Sequence, residues 1–62
     1  MSTPNTDENV DHFLDVLEAE GRNLTKWEED FVDSVKGQRE DGRHLSDRQF
    51  EILERIYSEK TP

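Results

Sequence analysis

Two helix-start signatures, 21 residues apart, constrain this sequence more than any other feature. Each is a capping box, in which Thr25 or Ser46 supplies the N-cap hydroxyl and Glu28 or Gln49 follows three residues later. The hydroxyl accepts from the N3 amide while the N3 side chain accepts from the cap amide, so two unpaired donors are satisfied. Each cap stabilises its helix by roughly 1 kcal/mol. We therefore expect two helices joined by a glycine-containing turn, an αα-hairpin.

Apolar residues at helical spacing predict a further helix before the hairpin. This helix 1 covers about residues 7–20, with one apolar face made of Val10, Phe13, Leu14 and Leu17. Helix 2 is expected over about 26–40 and helix 3 over about 47–59. Either Gly37 or Gly42 could end helix 2, and we favour the longer helix, which continues through Gly37. Residues 1–6 are expected to form a disordered tail, and residues 61–62 a second tail.

These elements predict an all-α fold with one small helical domain over residues 7–60. Helices 2 and 3 are expected to form the hairpin core around Phe31 and Leu53, with helix 1 packed across it. A chain of 62 residues buries only about 60% of its unfolded surface and is marginally stable. We therefore expect self-association, as a dimer, to add buried area.

The charge of the chain is strongly negative and unevenly distributed. The net charge is −8, of which residues 1–30 carry −7 and residues 31–62 carry −1. Such a chain is repelled by nucleic acid and by anionic membranes, and it is attracted to basic protein surfaces. Direct nucleic-acid binding is therefore not favoured, and a protein partner with a basic surface is.

The sequence lacks the signals for secretion, membrane insertion and disulfide formation. Cysteine is absent, which excludes disulfides and the Cys/His zinc patterns. No apolar run approaches the roughly 18 residues of a membrane span. Residues 1–5 also lack the basic and apolar regions of a secretory signal. We expect a soluble cytoplasmic protein that does not associate with membranes.

The candidate partner-binding residues lie on helix 1 and at the start of helix 2. Four carboxylates form one strip of helix 1, with successive members about 5–6 Å apart along the axis. This acidic strip either imitates nucleic acid toward a DNA-binding protein or keeps the chain soluble. Trp27 either anchors an interface or closes the core against helix 3. The candidates are Asp7, Asp11, Asp15, Glu18 and Trp27.

An alternative set of binding residues makes the second half of the chain locally basic. Arg43, Arg48 and Arg55 would contact DNA if helix 3 acted as a recognition helix. The nearby acids Asp47, Glu51 and Glu54 would then face phosphates, which argues against this interpretation. We favour local charge balance, for example an i, i+4 pair between Glu51 and Arg55.

No motif for catalysis or for metal binding is present. His12 and His44 are the only histidines, and without cysteine they form a poor ligand set. A phosphate-binding loop, a nucleophile elbow and a Ser/His/Asp signature are all missing. We expect no enzymatic activity, no cofactor and no metal.

Two patterned segments follow each other in residues 24–57. They read Leu24-Thr25-x-Trp27-Glu28-x-x-Phe31-Val32-x-Ser34 and Leu45-Ser46-x-Arg48-Gln49-x-x-Ile52-Leu53-x-x-Ile56-Tyr57. Together they resemble a short helical segment that recurs in bacteriophage and bacterial accessory proteins, some at the margins of DNA processing. The small acidic format also resembles the early proteins encoded between the exonuclease and excisionase genes of lambdoid phages. The resemblance implies a structural pattern and a phage setting, with the host cytoplasm as location, and assigns no functional residue.

The function expected from the sequence is a non-enzymatic, acidic protein-interaction module. The phage resemblance suggests a modulator of a host or phage protein. One alternative is a DNA-binding or DNA-metabolism accessory module that uses the basic side of helix 3. Another is a homo-oligomer whose role is mainly structural.

Overall fold

A computed structural model describes residues 3–61 and contains three helices, with no strand in that range. Helix α1 spans Asp7–Glu20, α2 spans Lys26–Glu40 and α3 spans Asp47–Lys60. The expected all-α fold is confirmed. Residues 1, 2 and 62 lie outside the described part, and so do the expected tail positions that fall on them.

Both capping boxes form as the sequence predicts. The Thr25 hydroxyl accepts from the Glu28 amide at 3.1 Å, and the Glu28 carboxylate accepts from the Thr25 amide at 2.8 Å. Ser46 and Gln49 make the same pair of hydrogen bonds, at 3.2 and 2.9 Å. Helices α2 and α3 therefore begin where their backbone donors are satisfied by the chain itself.

Helix α2 continues through Gly37 and ends in a Schellman motif. Beyond the C-cap Asp41, Gly42 has φ +79°, a left-handed conformation that glycine adopts without steric cost. The Gly42 amide donates to the Arg39 carbonyl at 2.9 Å, and the Arg43 amide donates to the Gln38 carbonyl at 3.0 Å. These are the two bonds that define the motif.

The core lies mainly between α1 and α3, which corrects the expected hairpin core. Helix α2 contributes one fully buried residue, Val35, and Phe31 is only half-buried. Two of the few apolar residues of α2, Trp27 and Phe31, stack on each other at the margin of the core instead of filling it. The buried set is Val10, Phe13, Leu14, Leu17, Val35, Leu45, Phe50, Leu53 and Ile56.

The turn between α1 and α2 is tied to the far end of α3. The Arg22 amide donates to the Lys60 carbonyl at 3.2 Å, and the Lys60 ammonium donates to the Asn23 carbonyl at 3.3 Å. The left-handed residue of this turn is Asn23, with φ 59°. Gly21 is needed for a different reason, because a Cβ atom there would lie 2.4 Å from the Leu17 carbonyl oxygen.

The segment before α1, part of the expected tail over residues 1–6, forms hydrogen bonds to the start of α3 and to α1. The Asn5 amide group donates to the Leu45 carbonyl at 3.0 Å and to the Asp47 carboxylate at 3.3 Å. The Asn9 side chain donates to the Pro4 carbonyl at 2.9 Å. Short polar side chains thus satisfy backbone carbonyls on both sides of this segment, and whether it is a disordered tail stays a prediction.

Candidate functional site

The N-terminal half of the acidic strip is paired with cations of the same chain. Arg39 donates to both carboxylate oxygens of Asp11, at 3.0 and 3.4 Å. Its guanidinium also lies 3.6 Å from Asp7, whose Oδ1 is 2.7 Å from Nδ1 of His44. The hydrogen bond with His44 and the charge of Arg39 hold the pKa of Asp7 below its ordinary value. This half of the strip fastens α1 to the end of α2.

In the C-terminal half of the acidic strip, one carboxylate forms an ion pair and the other does not. Glu18 accepts from the Lys36 ammonium at 3.0 Å, and this contact raises the pKa of Lys36. Asp15 is exposed and forms no ion pair within residues 3–61. Three of the four strip carboxylates therefore face cations of α2 or of the loop after it. Further carboxylates without an ion pair lie elsewhere on the described surface.

Such carboxylates border a groove between α1 and α2, which we call the acid-rimmed groove. Its floor combines the buried Leu14 and Leu17 with the half-buried Leu24 and Val32. Its rim carries three exposed carboxylates that form no ion pair in the described part of the chain. They are Glu29, Asp30 and Asp33.

The arrangement of the acid-rimmed groove suits a ligand with two kinds of side chain. Leu24 and Val32 leave apolar surface accessible at the base, where an aliphatic side chain can be covered. The rim carboxylates can accept hydrogen bonds from lysine or arginine, and such charge-assisted bonds are stronger than neutral ones. The groove is also lined by the Glu18–Lys36 ion pair, in which a cation of the ligand can replace Lys36 as the partner of Glu18.

Trp27 lies outside the core, so the interpretation that it closes the core against helix 3 is wrong. Its side chain is 61% exposed and is the one large exposed apolar side chain among residues 3–61. The indole stacks on Phe31 with ring centroids 5.6 Å apart and an interplanar angle of 11°. Trp27 also borders a shallow groove along the outer side of α3 together with Ile52.

The arginines of helix 3 share this groove with acids. Arg48 and Arg55 line it, and Glu51, Glu54 and Glu59 lie between and beside them. We call the surface formed by Trp27, Phe31, Ile52 and these five charged residues the Trp27 face. The five form no ion pair at 4 Å or less within the described chain, so the expected Glu51–Arg55 pair is not made.

Arg43 does not join the helix 3 arginines in one basic patch. It lies in the loop after α2, 3.7 Å from Asp41, and its backbone carbonyl accepts from Arg39 at 2.9 Å. The three residues proposed as nucleic-acid contacts are therefore divided between a loop next to the acidic strip and a face of mixed charge.

The acidic strip and Trp27 are separate surfaces. The strip meets α2 near Arg39 and Lys36, whereas Trp27 is in the first turn of that helix. Residues 27 and 39 are about 18 Å apart along the helix axis, at 1.5 Å rise per residue. One partner would have to span most of the molecule to contact both ends.

The described residues form no metal-binding cluster of three or more His, Cys, Asp or Glu side chains. His44 is paired with Asp7, and His12 lies with its ring centroid 6.1 Å from that of Tyr57. None of the helices within residues 3–61 is long and apolar enough to cross a membrane.

No protein-family model matches the chain, and no curated protein or solved structure is significantly similar to it. The assignment of sites therefore depends on the geometry of this molecule alone. Sequence reasoning missed the acid-rimmed groove because its residues belong to two helices and a turn. The one available signal was Leu24, an apolar residue outside the predicted helices and just before the N-cap Thr25.

Proposed function

We propose that this chain is a non-enzymatic protein-interaction module that binds a basic, amphipathic segment of a partner protein in the acid-rimmed groove. The observation that carries this proposal is the combination of accessible apolar surface at Leu24 and Val32 with three exposed rim carboxylates. An amphipathic helix with aliphatic residues on one face and lysine or arginine beside them complements both features.

The overall charge supports a basic partner. Residues outside α3 carry −7 of the net charge of −8. The cations of α2 that form ion pairs bind carboxylates of α1, so Glu29, Asp30 and Asp33 form no ion pair among the described residues. Complementary potentials increase association rates and suppress like-charged partners. The charge brings a basic partner to the groove, and burial of apolar surface slows its dissociation.

Asp7 and Glu28 are suited to a structural role and not to acid–base catalysis. A general acid or base works best with a pKa near the operating pH. The pKa values of Asp7 and Glu28 are instead lowered, by hydrogen bonds from His44 and from the Thr25 amide. These carboxylates act as fixed structural charges.

The resemblance of residues 24–57 to phage accessory segments indicates which partners to test first. A phage-encoded modulator would act on a host or phage protein in the host cytoplasm. Within this proposal, a basic helix of such a protein is the segment that enters the groove.

The proposal is tested by titrating a synthetic Leu/Lys amphipathic peptide into the protein, with a Leu/Glu peptide as ligand control. We expect binding of the Leu/Lys peptide to weaken by about tenfold or more in D30K/D33K. The matched control is E51K/E54K, because both pairs occupy the fifth and eighth positions of their helices and change the net charge equally. This control should retain most of the affinity.

Equal loss in both double variants would show that only the net charge matters and would contradict the proposed groove. Absence of binding by wild-type protein at low salt would contradict the whole proposal. Circular dichroism of each variant checks that the helices are unchanged.

A further inference from the structure

We infer that the Trp27 face is the contact through which two copies of this chain associate. This face lies along the outer side of α3 and the first turn of α2, whereas the acid-rimmed groove lies between α1 and α2. The inference therefore concerns a second surface and does not depend on what the groove binds.

The apolar centre of the Trp27 face is accessible and aromatic. Trp27 is 61% exposed, and its indole stacks on Phe31. Ile52 extends the apolar surface across to α3 and is half-buried. Rigid aromatic side chains give large contact area for little loss of conformational freedom, and tryptophan is enriched at interface hot spots.

The charge distribution favours a second copy at this face over the more acidic surfaces of α1 and α2. Two chains of net charge −8 repel each other. Helix α3 carries four acids and three bases, a net of −1, so the remaining residues carry −7. Contact through α3 brings the nearly neutral surfaces together and keeps the strongly acidic helices apart.

One pair of charges on α3, Glu51 and Arg55, can be complementary to itself under two-fold symmetry. In an antiparallel pairing of two α3 helices, positions equally distant from the centre lie opposite each other, and an isologous interface makes every such contact twice. We place the two-fold axis level with position 53, midway between Glu51 and Arg55, so that each of these residues lies opposite the other across the interface. Because neither residue forms an ion pair within residues 3–61, both are available for this contact.

Charge exchange tests the inference directly. In E51R, positions 51 and 55 are both positive, and in R55E both are negative. Two copies of the same variant therefore repel each other at these positions. In an equimolar mixture, a dimer of one copy of each variant has a positive residue opposite a negative one at both contacts between positions 51 and 55. We expect each variant alone to dimerise about tenfold or more weakly than wild type, and the mixture to regain the wild-type association in sedimentation equilibrium.

Trp27 provides a second readout because it is the only tryptophan in the chain. The fluorescence of wild-type protein should shift to shorter wavelength as concentration rises and the indole loses contact with water. W27A should weaken dimerisation by about thirtyfold or more. The control is D33R, which makes the same acid-to-arginine change at the rim of the acid-rimmed groove. D33R should not weaken dimerisation.

A single 7.3 kDa species at every concentration would overturn the inference. Folded E51R and R55E variants that dimerise like wild type, or whose mixture fails to regain association, would overturn it too. Either outcome leaves the groove proposal standing, since that proposal is tested by peptide binding and by D30K/D33K.

Discussion

Two glycines near the end of α2 have opposite consequences for its stability. Gly42 has φ +79° and carries the chain out of the helix, so any other residue there would be strained. Gly37 lies in the helix interior, and a Cβ added there would meet no atom within 4 Å. Gly37 therefore costs helix stability without providing a packing contact or a turn.

The G37A variant should accordingly be more stable than wild type. Alanine at an unstrained, exposed helix position stabilises by about 0.4–1 kcal/mol, chiefly by restricting the unfolded chain. Urea unfolding monitored by circular dichroism measures the change. G42A is the control and should be destabilised. A G37A variant less stable than wild type would contradict the uninterrupted course of α2.

The sequence predicts that Leu53 and Phe31 both lie in the core, but the two residues differ in burial. Leu53 is 0% exposed at the centre of the core, whereas Phe31 is half-buried beneath Trp27. We expect L53A to lose about 2–5 kcal/mol of unfolding free energy. F31A should lose clearly less than the roughly 3–5 kcal/mol typical of a buried phenylalanine. Equal losses in urea unfolding would contradict the α1–α3 core.

At the scale of the elements, the start of α2 is joined to the end of α3 through Glu28. Its carboxylate closes the capping box with Thr25 and lies 3.6 Å from the Lys60 ammonium. The hydrogen bond from the Thr25 amide, with the nearby charge of Lys60, lowers the pKa of Glu28 from its ordinary value of 4.5. A charged Glu28 therefore stabilises the folded chain.

This lowered pKa predicts a pH dependence of stability. The contribution of Glu28 is fully present above the ordinary pKa and is lost as pH falls through the lower folded-state pKa. E28Q keeps the hydrogen-bond acceptor and removes the charge. The stability advantage of wild type over E28Q should thus shrink between neutral pH and about pH 3 in urea unfolding. An advantage that is constant or that grows as pH falls would contradict the argument.

The acidic strip shows where local sequence patterns stop being informative. Spacing correctly indicated that its carboxylates share one side of α1, and the capping boxes marked the starts of α2 and α3. The spacing of residues could not indicate that Arg39 would bind Asp11, which lies 28 residues earlier in the chain. That contact depends on how the helices pack, and so do the placement of Trp27 outside the core and the groove between α1 and α2.

At the scale of the whole molecule, charge and apolar exposure divide the described surface into two candidate faces. The groove between α1 and α2 is acidic with an aliphatic floor, and the Trp27 face is nearly neutral with an aromatic centre. Paired through the Trp27 face, two copies would present two acidic grooves and bind a multivalent basic partner with increased avidity.

The mixed charge of the Trp27 face also bears on the alternative of DNA binding. Arg48 and Arg55 are exposed, but Glu51 and Glu54 lie beside them. We expect no shift of duplex DNA at physiological salt, where the few available cations cannot offset a net charge of −8. A gel shift that requires Arg48 and Arg55 would favour the DNA-binding alternative instead.

The central claim, that the acid-rimmed groove is the partner-binding surface, is tested most directly by amide chemical-shift mapping. Isotope-labelled protein is titrated with the Leu/Lys amphipathic peptide at a concentration where the chain is a single species. We expect the largest shift changes to cluster at Leu24, Asp30, Val32 and Asp33 and to become smaller with added salt. Shift changes centred on Trp27 and Ile52, or spread evenly over all exposed carboxylates, would contradict it.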